Sequence, residues 1–384
     1  MIRSLAFLLF AVALTAQTQF VSSKVCSKCH PLIYKEYMGS MHRNSSVFND
    51  PVHKAVWQKH PMLKKKKYEC AVCHTPGDTR LMGRLASNRP ALPEADEIQK
   101  NEPISCAYCH RIQSVETHAR HNENLLNEKP KYYYAAKEGK SVKEWVKFHR
   151  KSGLFGLSRA TTGSPFHTID YGNQLFADGR VCLGCHDHKQ NGKGFSVCTM
   201  NRSDKPSKRN CIGCHMPQIP GSFNTIQKSA THAYHGFAGL HNGTEYLKKY
   251  VKLEAVKKGG ELVAKIVNEA DHQLFNHPLR LAQLRIAVER GGKTVSAKPV
   301  NFYRILGHAG KPAMPWVADT VVKANTIDAK STKTVPTGIA LQPGDRVTLT
   351  LGYFIVNPKA AKKLGITDKK LTEFRVLTSK NFNF

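Results

Sequence analysis

The chain of 384 residues contains five copies of the spacing Cys-x-x-Cys-His, and these copies use ten of its eleven cysteines. This spacing is the attachment signature of c-type haem, in which both thiols bond to the porphyrin edge and the histidine ligates the iron. If each copy forms one helical turn, its two cysteines and its histidine share a face and can reach one macrocycle. We therefore predict five covalently attached haem c groups. The residues are Cys26, Cys29 and His30; Cys70, Cys73 and His74; Cys106, Cys109 and His110; Cys182, Cys185 and His186; and Cys211, Cys214 and His215.

Other uses of paired cysteines explain this pattern less well. Zinc sites built from such pairs need two half-sites each, and five is an odd number of halves. A redox-active thiol pair needs one copy on a thioredoxin-like βαβ unit. Disulfides give no reason for the histidine that follows each pair. The eleventh cysteine, Cys198, has no thiol left to pair with in the chain, so we expect a buried free cysteine or an intermolecular bond.

The second ligand of each iron must come from elsewhere in the chain. Fourteen of the 19 histidines lie outside the motifs, and a second histidine closes an iron for electron transfer, whereas an open position could bind a substrate. His42 in "MGSMH", His167 in "SPFH", and His235 and His241 in "HGFAGLH" stand in the clearest contexts. His118, shortly after the third motif, is a further candidate. We predict these five as second ligands, bound through neutral imidazole.

The N-terminus predicts export. Arg3 precedes an unbroken apolar run from Leu5 to Leu14, and a small residue, Ala16, follows at the expected cleavage site. Residues 1–16 therefore resemble a secretory signal peptide. The run is shorter than the roughly 20 apolar residues that span a bilayer, although an uncleaved anchor is the alternative. We expect a periplasmic or exported protein, soluble after cleavage.

The chain is strongly basic, with 58 Lys and Arg against 28 Asp and Glu and a formal charge of +30. The propionates of five haems and the loss of Arg3 would leave about +19 to +24. An exported cytochrome does not meet nucleic acid, so the charge favours an acidic redox partner or an anionic membrane surface. The run from Lys64 to Lys67 is the densest patch, with a solvated loop as the alternative reading.

The distribution of cysteines divides the chain into two regions. All eleven lie between Cys26 and Cys214, which leaves little chain to build a core around each haem. We therefore expect residues 17–250 to form a mostly helical and irregular multihaem domain in which the haems themselves are the core.

Residues 251–384 carry strand patterns instead. "GELVAKIVN", "GDRVTLTLGYFIV" and "TEFRVLTSKNF" read as strands, and Gly291 and Gly292 turn a hairpin within "LRLAQLRIAVERGGKTV". We predict a small antiparallel β-sandwich, and α+β as the fold class. This region could cover the haems, dock a partner, or lend a ligand from His272, His277 or His308.

Several segments resemble a known group of proteins. "YKEYMGSMH", "CAVCHTPGD" and "SPFH…CLGCH…CIGCHMP…HGFAGLH" resemble the haem sites of multihaem c-type cytochromes related to hydroxylamine oxidoreductase and the tetrahaem cytochromes of nitrifiers, over about residues 24–250. The resemblance implies second ligands at His42, His167, His235 and His241, without saying which haem each serves. Pentahaem nitrite reductases differ, because they carry a catalytic Cys-x-x-Cys-Lys motif and all five motifs here end in histidine.

These observations favour an electron relay through mostly bis-histidine haems, with only low-spin ferric haem expected of a pure carrier. The alternative is an oxidoreductase with one open haem that acts on a small nitrogen or sulfur compound. The second motif is the first candidate for that open site, because no histidine follows closely in "CAVCHTPGD". A filament of stacked haems is a third hypothesis. Whether the chain is an enzyme stays open, and electron transfer is the favoured role.

Overall fold

A computed structural model describes residues 20–96, 102–137, 164–204, 210–226 and 228–384, together with short strands at 145–146, 149–152 and 159–162. The predicted signal peptide, residues 1–16, lies outside the described residues. Within these ranges, no helix is both long enough and apolar enough to cross a membrane.

The helices of the haem-motif region are short, and most begin with a side-chain cap. Asp50, Asp78, Ser105 and Asn210 each accept a backbone N–H of the first turn, which stabilises helices too short to hold on propensity alone. In the described parts of the chain the α-helices are α1 (Ser23–Cys26), α2 (Pro31–Met38), α3 (Pro51–Trp57), α4 (Ala71–His74), α5 (Thr79–Ala86), α6 (Cys106–Cys109), α7 (Gln174–Asp178), α8 (Cys211–His215), α9 (Pro358–Leu364) and α10 (Lys369–Thr372). Short 3₁₀ segments lie at Pro61–Leu63, Arg180–Gly184, Thr244–Tyr246 and Lys248–Tyr250.

Between these helices the chain forms small sheets of two or three strands, so the region is less helical than predicted. The pairs are β1–β2, β5–β6, β8–β9 and β10–β11, and β7 lies between β3 and β4. The strands are β1 (Ile112–Thr117), β2 (Asn122–Leu126), β3 (Tyr132–Tyr134), β4 (Trp145–Val146), β5 (His149–Ser152), β6 (Arg159–Thr162), β7 (Thr168–Asp170), β8 (Lys189–Gln190), β9 (Ser196–Cys198), β10 (Gln218–Pro220) and β11 (Thr231–Ala233). At two to six residues they are too short for an alternating pattern to show in the sequence.

The C-terminal region consists mainly of antiparallel strands. One sheet has the order β12–β13–β19, and a larger one has the order β17–β16–β14–β20–β21, with β15 on β14 and β18 on β16. The strands are β12 (Val251–Lys258), β13 (Glu261–Asn268), β14 (Leu281–Arg290), β15 (Lys293–Ser296), β16 (Val300–His308), β17 (Lys311–Pro312), β18 (Thr320–Asn325), β19 (Thr332–Ala340), β20 (Arg346–Phe354) and β21 (Arg375–Asn383). The four predicted strand segments are confirmed, and Gly291 and Gly292 turn β14 into β15 with positive φ at both residues.

Both sheets contribute to one hydrophobic core. Alternate residues of β13, β14 and β20 are fully buried, including Leu262, Leu284 and Leu349. The haem-motif region has only smaller clusters, one around Tyr68 and Leu81 and one around Tyr108. The chain therefore has a continuous protein core in its C-terminal region and a different organisation around the motifs.

Hydrogen bonds join the two regions. The Asn191 amide donates to the carbonyls of Pro315 and Ala318 at 2.8 and 2.6 Å. The Asn276 amide donates to the carbonyl of Thr199 at 2.7 Å. The Asn191 bonds hold the β17–β18 connection against the motif region, and the Asn276 bond holds the β13–β14 connection there, where it can take part in the site.

Candidate haem-binding site

One large cavity brings the five motifs together. Its volume is about 2870 Å³, several times the roughly 300–1,000 Å³ of a pocket for one small ligand. All five motif histidines and nine of the ten motif cysteines line it, Cys70 being the exception. Residues of the β13–β14 connection complete part of the wall. The space is large enough for several cofactors, and the motifs face it.

Each motif is one helical turn, as the sequence predicted. In the first four motifs the histidine N–H donates to the carbonyl of the first cysteine at 2.9–3.0 Å, and α8 contains the fifth motif. This i to i−4 bond places the cysteines and the histidine on one face. The turn therefore has the geometry that covalent haem attachment requires.

Four motif histidines face a second histidine ring across a gap that suits one metal ion. Metal–imidazole nitrogen distances of about 2 Å on each side, with a ring radius of about 1.1 Å, put two ligating rings roughly 6.3 Å apart between centroids. The observed centroid distances are 6.2 Å for His30 and His167, 6.0 Å for His186 and His42, 6.3 Å for His110 and His235, and 6.0 Å for His215 and His272. The donor set fits iron held between two imidazoles.

Backbone carbonyls fix the tautomer of most of these rings. Because a carbonyl only accepts, a ring nitrogen that contacts one carries the proton, and Nε2 keeps its lone pair for a metal. The Nδ1 contacts are His30 with Phe223 at 2.6 Å, His110 with Tyr134 at 2.6 Å, His215 with Ala238 at 2.5 Å, His235 with Ala233 at 2.7 Å, and His272 with Gln273 at 3.1 Å.

Burial keeps four of the cavity histidines neutral. It is the first cause that lowers the pKa of His42 and His74 to about 3 and of His167 and His235 to about 4, and nearby histidines lower each further. Neutral imidazole is the form that binds a metal. These rings are therefore in the protonation state that ligation needs at physiological pH.

His74 has a different neighbour from the other four motif histidines. Its ring contact is with His53 at a centroid distance of 4.0 Å, which is too short to hold a metal ion between the rings. His53 donates from Nδ1 to the carbonyl of Ser45 at 3.0 Å, and its Nε2 accepts from the Tyr68 hydroxyl at 3.2 Å. Among the described residues, no histidine faces His74 at the 6.0–6.3 Å seen in the other pairs.

The predicted ligand His241 lies in the cavity wall but not opposite a motif histidine. It neighbours His277, whose pKa is lowered to about 3, first by burial and then by Arg280 and His241. His277 in turn lowers the pKa of His74. His277 is thus close to His74, and His241 and Arg280 are close to His277.

The structure does not bring His118 to the cavity. It lies in the turn between β1 and β2, outside the residues that line the cavity, and its Nε2 lies 3.2 Å from the carboxylate of Glu123. The structure brings in His272 instead. It lies in the β13–β14 connection, where its backbone pairs with that of Arg202 in an isolated antiparallel β-bridge. The sequence offered His272 only as one of three alternatives, because "ADHQLF" carries no local signal of ligation.

Cysteines of different motifs approach one another in three places. The thiols within hydrogen-bonding reach are Cys26 and Cys106, Cys73 and Cys185, and Cys182 and Cys211. The motifs of the last pair are close in the sequence, and the other two pairs join motifs far apart in the chain. Cys198 is a free thiol that faces the cavity.

Two comparisons with known proteins agree with this geometry. Residues 25–111, which contain the first three motifs, match the family described as "Cytochrome c554 and c-prime". A penta-heme cytochrome c552 from Thermochromatium tepidum has a similar structure, with a TM-score of 0.66 and 20% sequence identity, over 95% of this chain and 99% of that one. A comparison with curated protein sequences gives no match. Together the two similarities support a multihaem c-type cytochrome and, in general terms, electron transfer.

Proposed function

We propose that this chain is an exported pentahaem c-type cytochrome that relays electrons between redox partners. The observation that carries the proposal is the set of four histidine pairs spaced 6.0–6.3 Å apart around one cavity. When bound, haem would supply reversible one-electron chemistry at each iron. The C-terminal region, taken as a sandwich domain, covers the haems and supplies one ligand.

The roles of the residues follow from their positions. The ten motif cysteines would form the thioethers, and the motif histidines would hold the iron atoms on one side. His167, His42, His235 and His272 would hold four of them on the other. The hydrogen bonds from Nδ1 to carbonyls orient the rings and make them better donors. Buried surroundings exclude water from the ligand bonds, a factor that sets reduction potential.

The contacts between motifs support an arrangement of the five haem sites in the relay. Cys26 meets Cys106, Cys73 meets Cys185, and Cys182 meets Cys211. Cys109 is close enough to raise the pKa of Cys182, after Cys211 and burial. The first and third sites are therefore neighbours, the third adjoins the fourth, and both the second and fifth adjoin the fourth.

Low-temperature electron paramagnetic resonance of the ferric holoprotein tests the four pairs. We expect four low-spin haems, and the variants H42A, H167A, H235A and H272A should each convert one of them to high spin. His118→Ala is the matched control and should change none. If two or more of the four variants leave the low-spin signals intact, the pairing and the relay built on it are wrong.

A second function is favoured by one specific observation, the absence of a ring opposite His74 among the described residues. An iron on His74 would keep a free position facing His277 and Arg280, so the protein could act on a small nitrogen or sulfur compound. Addition of carbon monoxide, nitrite or hydroxylamine should then shift the spectrum of one haem. If the holoprotein has five low-spin haems and none of these ligands shifts its spectrum, this second function is wrong and electron relay is the remaining proposal.

A further inference from the structure

A buried carboxylate links the first motif to a residue of the third site. Glu36 lies on α2, directly after the first motif, and its side chain is 11% exposed. Its Oε1 lies 2.8 Å from Nε2 of His232, whose side chain is fully buried. Its Oε2 accepts the backbone N–H of His235 at 2.9 Å. One carboxylate therefore holds two points of the segment that presents the His235 ring.

Both ring nitrogens of His232 have a hydrogen-bond partner. Its Nδ1 contacts the carbonyl of Gly221 at 3.0 Å, so Nδ1 carries a proton. Its Nε2 faces Glu36 with one proton held between them, because a carboxylate and a bare ring nitrogen would both be acceptors. The ring is thus fixed at both nitrogens, between α2 and the strand pair β10–β11.

The backbone beside His232 is packed closely against α2. Gly221 has φ +123°, and a Cβ there would lie 2.5 Å from Cδ2 of Leu32 on α2 and 3.3 Å from Cε1 of His232. Three residues after His232, the His235 ring is held by Nδ1 to the carbonyl of Ala233 at 2.7 Å. Its centroid lies 6.3 Å from that of His110.

We propose that Glu36 and His232 are positioning residues that set the orientation of His235 toward the third haem. The proposal rests on the ligand pairs proposed above. It adds a link between α2 and the third haem site, which those pairs do not include. The helix that directly follows the first motif, α2, would fix the ligand geometry of the neighbouring third site. A buried acceptor on a ligand's backbone acts on the metal through ring orientation.

The test is the ferric spectrum and the reduction potential of one haem in the holoprotein. The signal of the third haem is first identified as the one lost in His235→Ala. Glu36→Ala removes both contacts and should shift the g values and the potential of that haem alone. Glu36→Gln should preserve the signal, since its amide oxygen can accept from His235 and its NH₂ can donate to a neutral His232. Glu254→Ala, an exposed glutamate on β12, is the matched control and should change neither.

Three results would overturn the proposal. The first is an unchanged third-haem spectrum and potential in Glu36→Ala, whatever happens to thermal stability. The second is a shift in Glu36→Gln as large as in Glu36→Ala, because charge rather than position would then be the cause. If Glu36→Ala does not fold, Glu36→Asp takes its place: the aspartate keeps the charge but withdraws it by one methylene, so the signal of the third haem should still shift. The third contradicting result is an unchanged signal in Glu36→Asp. Failure of His235→Ala to open any haem would instead contradict the ligand assignment, so the two failures are distinguishable.

Discussion

Several motif histidine rings are oriented by backbone carbonyls well separated from them in the sequence. The ring of His30 meets a carbonyl 193 residues downstream, and that of His110 meets one 24 residues downstream. His272 comes from outside the motif region altogether and faces His215 at 6.0 Å. Ligand geometry is therefore a property of the tertiary structure, although each motif turn is local.

Removal of His272 should open one haem without affecting the others. In H272A an iron on His215 would lose the second ligand proposed for it, so one of four low-spin signals should become high-spin and its potential should rise as water reaches the iron. The measurement is electron paramagnetic resonance with a spectroelectrochemical titration. His308→Ala, an exposed histidine of the same region, is the control, and a high-spin signal in that variant would contradict the assignment.

The sequence predicts the motif residues of the candidate site but only part of the second ligand set. His42, His167 and His235 stand in contexts that the sequence makes readable, and the structure places all three opposite a motif histidine. His241 stands in an equally readable context and lies beside His277 instead, and His118, a candidate only because it follows the third motif, lies in a surface turn. Spacing along the chain cannot separate these cases, because a second ligand reaches its iron from any distance in sequence.

Short elements in the motif region depend on close packing between segments. Gly184 lies between Cys182 and Cys185 of the fourth motif and is the last residue of a 3₁₀ segment. A Cβ at this position would lie 1.7 Å from Oδ1 of Asn124 on β2. The Asn124 amide donates to the Tyr108 hydroxyl at 3.2 Å. The fourth motif and the β1–β2 hairpin are thus in direct contact.

Gly184→Ala should weaken this contact. The added methyl group displaces Asn124 and overpacks the hairpin, which costs about 1–3 kcal/mol of the free energy of unfolding. Chemical denaturation of the holoprotein, compared with Gly192→Ala, measures the loss; Gly192 has open space around its Cα. Equal stability of the two variants would contradict the packing argument.

The ion pair of Asp345 makes the stability of the larger sheet depend on pH in the acid range. Its carboxylate is 1% exposed and accepts from Nε and Nη2 of Arg290 at 2.7 and 2.6 Å, and the guanidinium lowers the pKa of Asp345 to about 2. An unfolded aspartate has a pKa of about 3.9. The stabilisation is therefore complete above about pH 4 and is lost as the pH falls toward about 2.

The variant D345N should remove this acid-dependent component. Its melting temperature should lie below that of the natural protein at pH 6, and the difference should shrink as the pH falls from about 4 to about 2. Thermal melts of both holoproteins across that range make the comparison. A difference that stays constant with pH would show that the ion pair is not its source.

The strands of the C-terminal region were predictable and the small sheets of the motif region were not. Alternation in "GELVAKIVN" follows from one buried face, which a sequence displays directly, and β13 is found there with Leu262, Ala264 and Ile266 buried. Strands such as β8 and β10 have two or three residues and no buried face of their own. Their pairing follows from the way the chain encloses the cavity, so no local sequence pattern predicts it.

At the scale of the whole molecule, the positive charge should govern association with redox partners. The chain carries a formal charge of +30, with Lys64, Lys65 and Lys66 exposed on a loop close to the second motif. Proposed partners are acidic redox proteins, because a field of this sign can raise association rates by about 10- to 1,000-fold at low salt. Screening shortens the reach of that field to about 3 Å at 1 M salt.

Reduction of the ferric protein by a small acidic flavoprotein should therefore slow by about 10-fold or more between low and roughly 0.5 M salt. Reduction by neutral hydroquinone should change little, since an uncharged reductant does not follow the field. A stopped-flow series with both reductants measures the two dependences. The double variant K64E/K65E should lose more of the salt dependence than K257E/K258E, which changes the net charge by the same amount at exposed lysines on β12. Equal losses would mean that partners follow the overall charge rather than this loop, and a rate independent of salt would contradict an acidic partner.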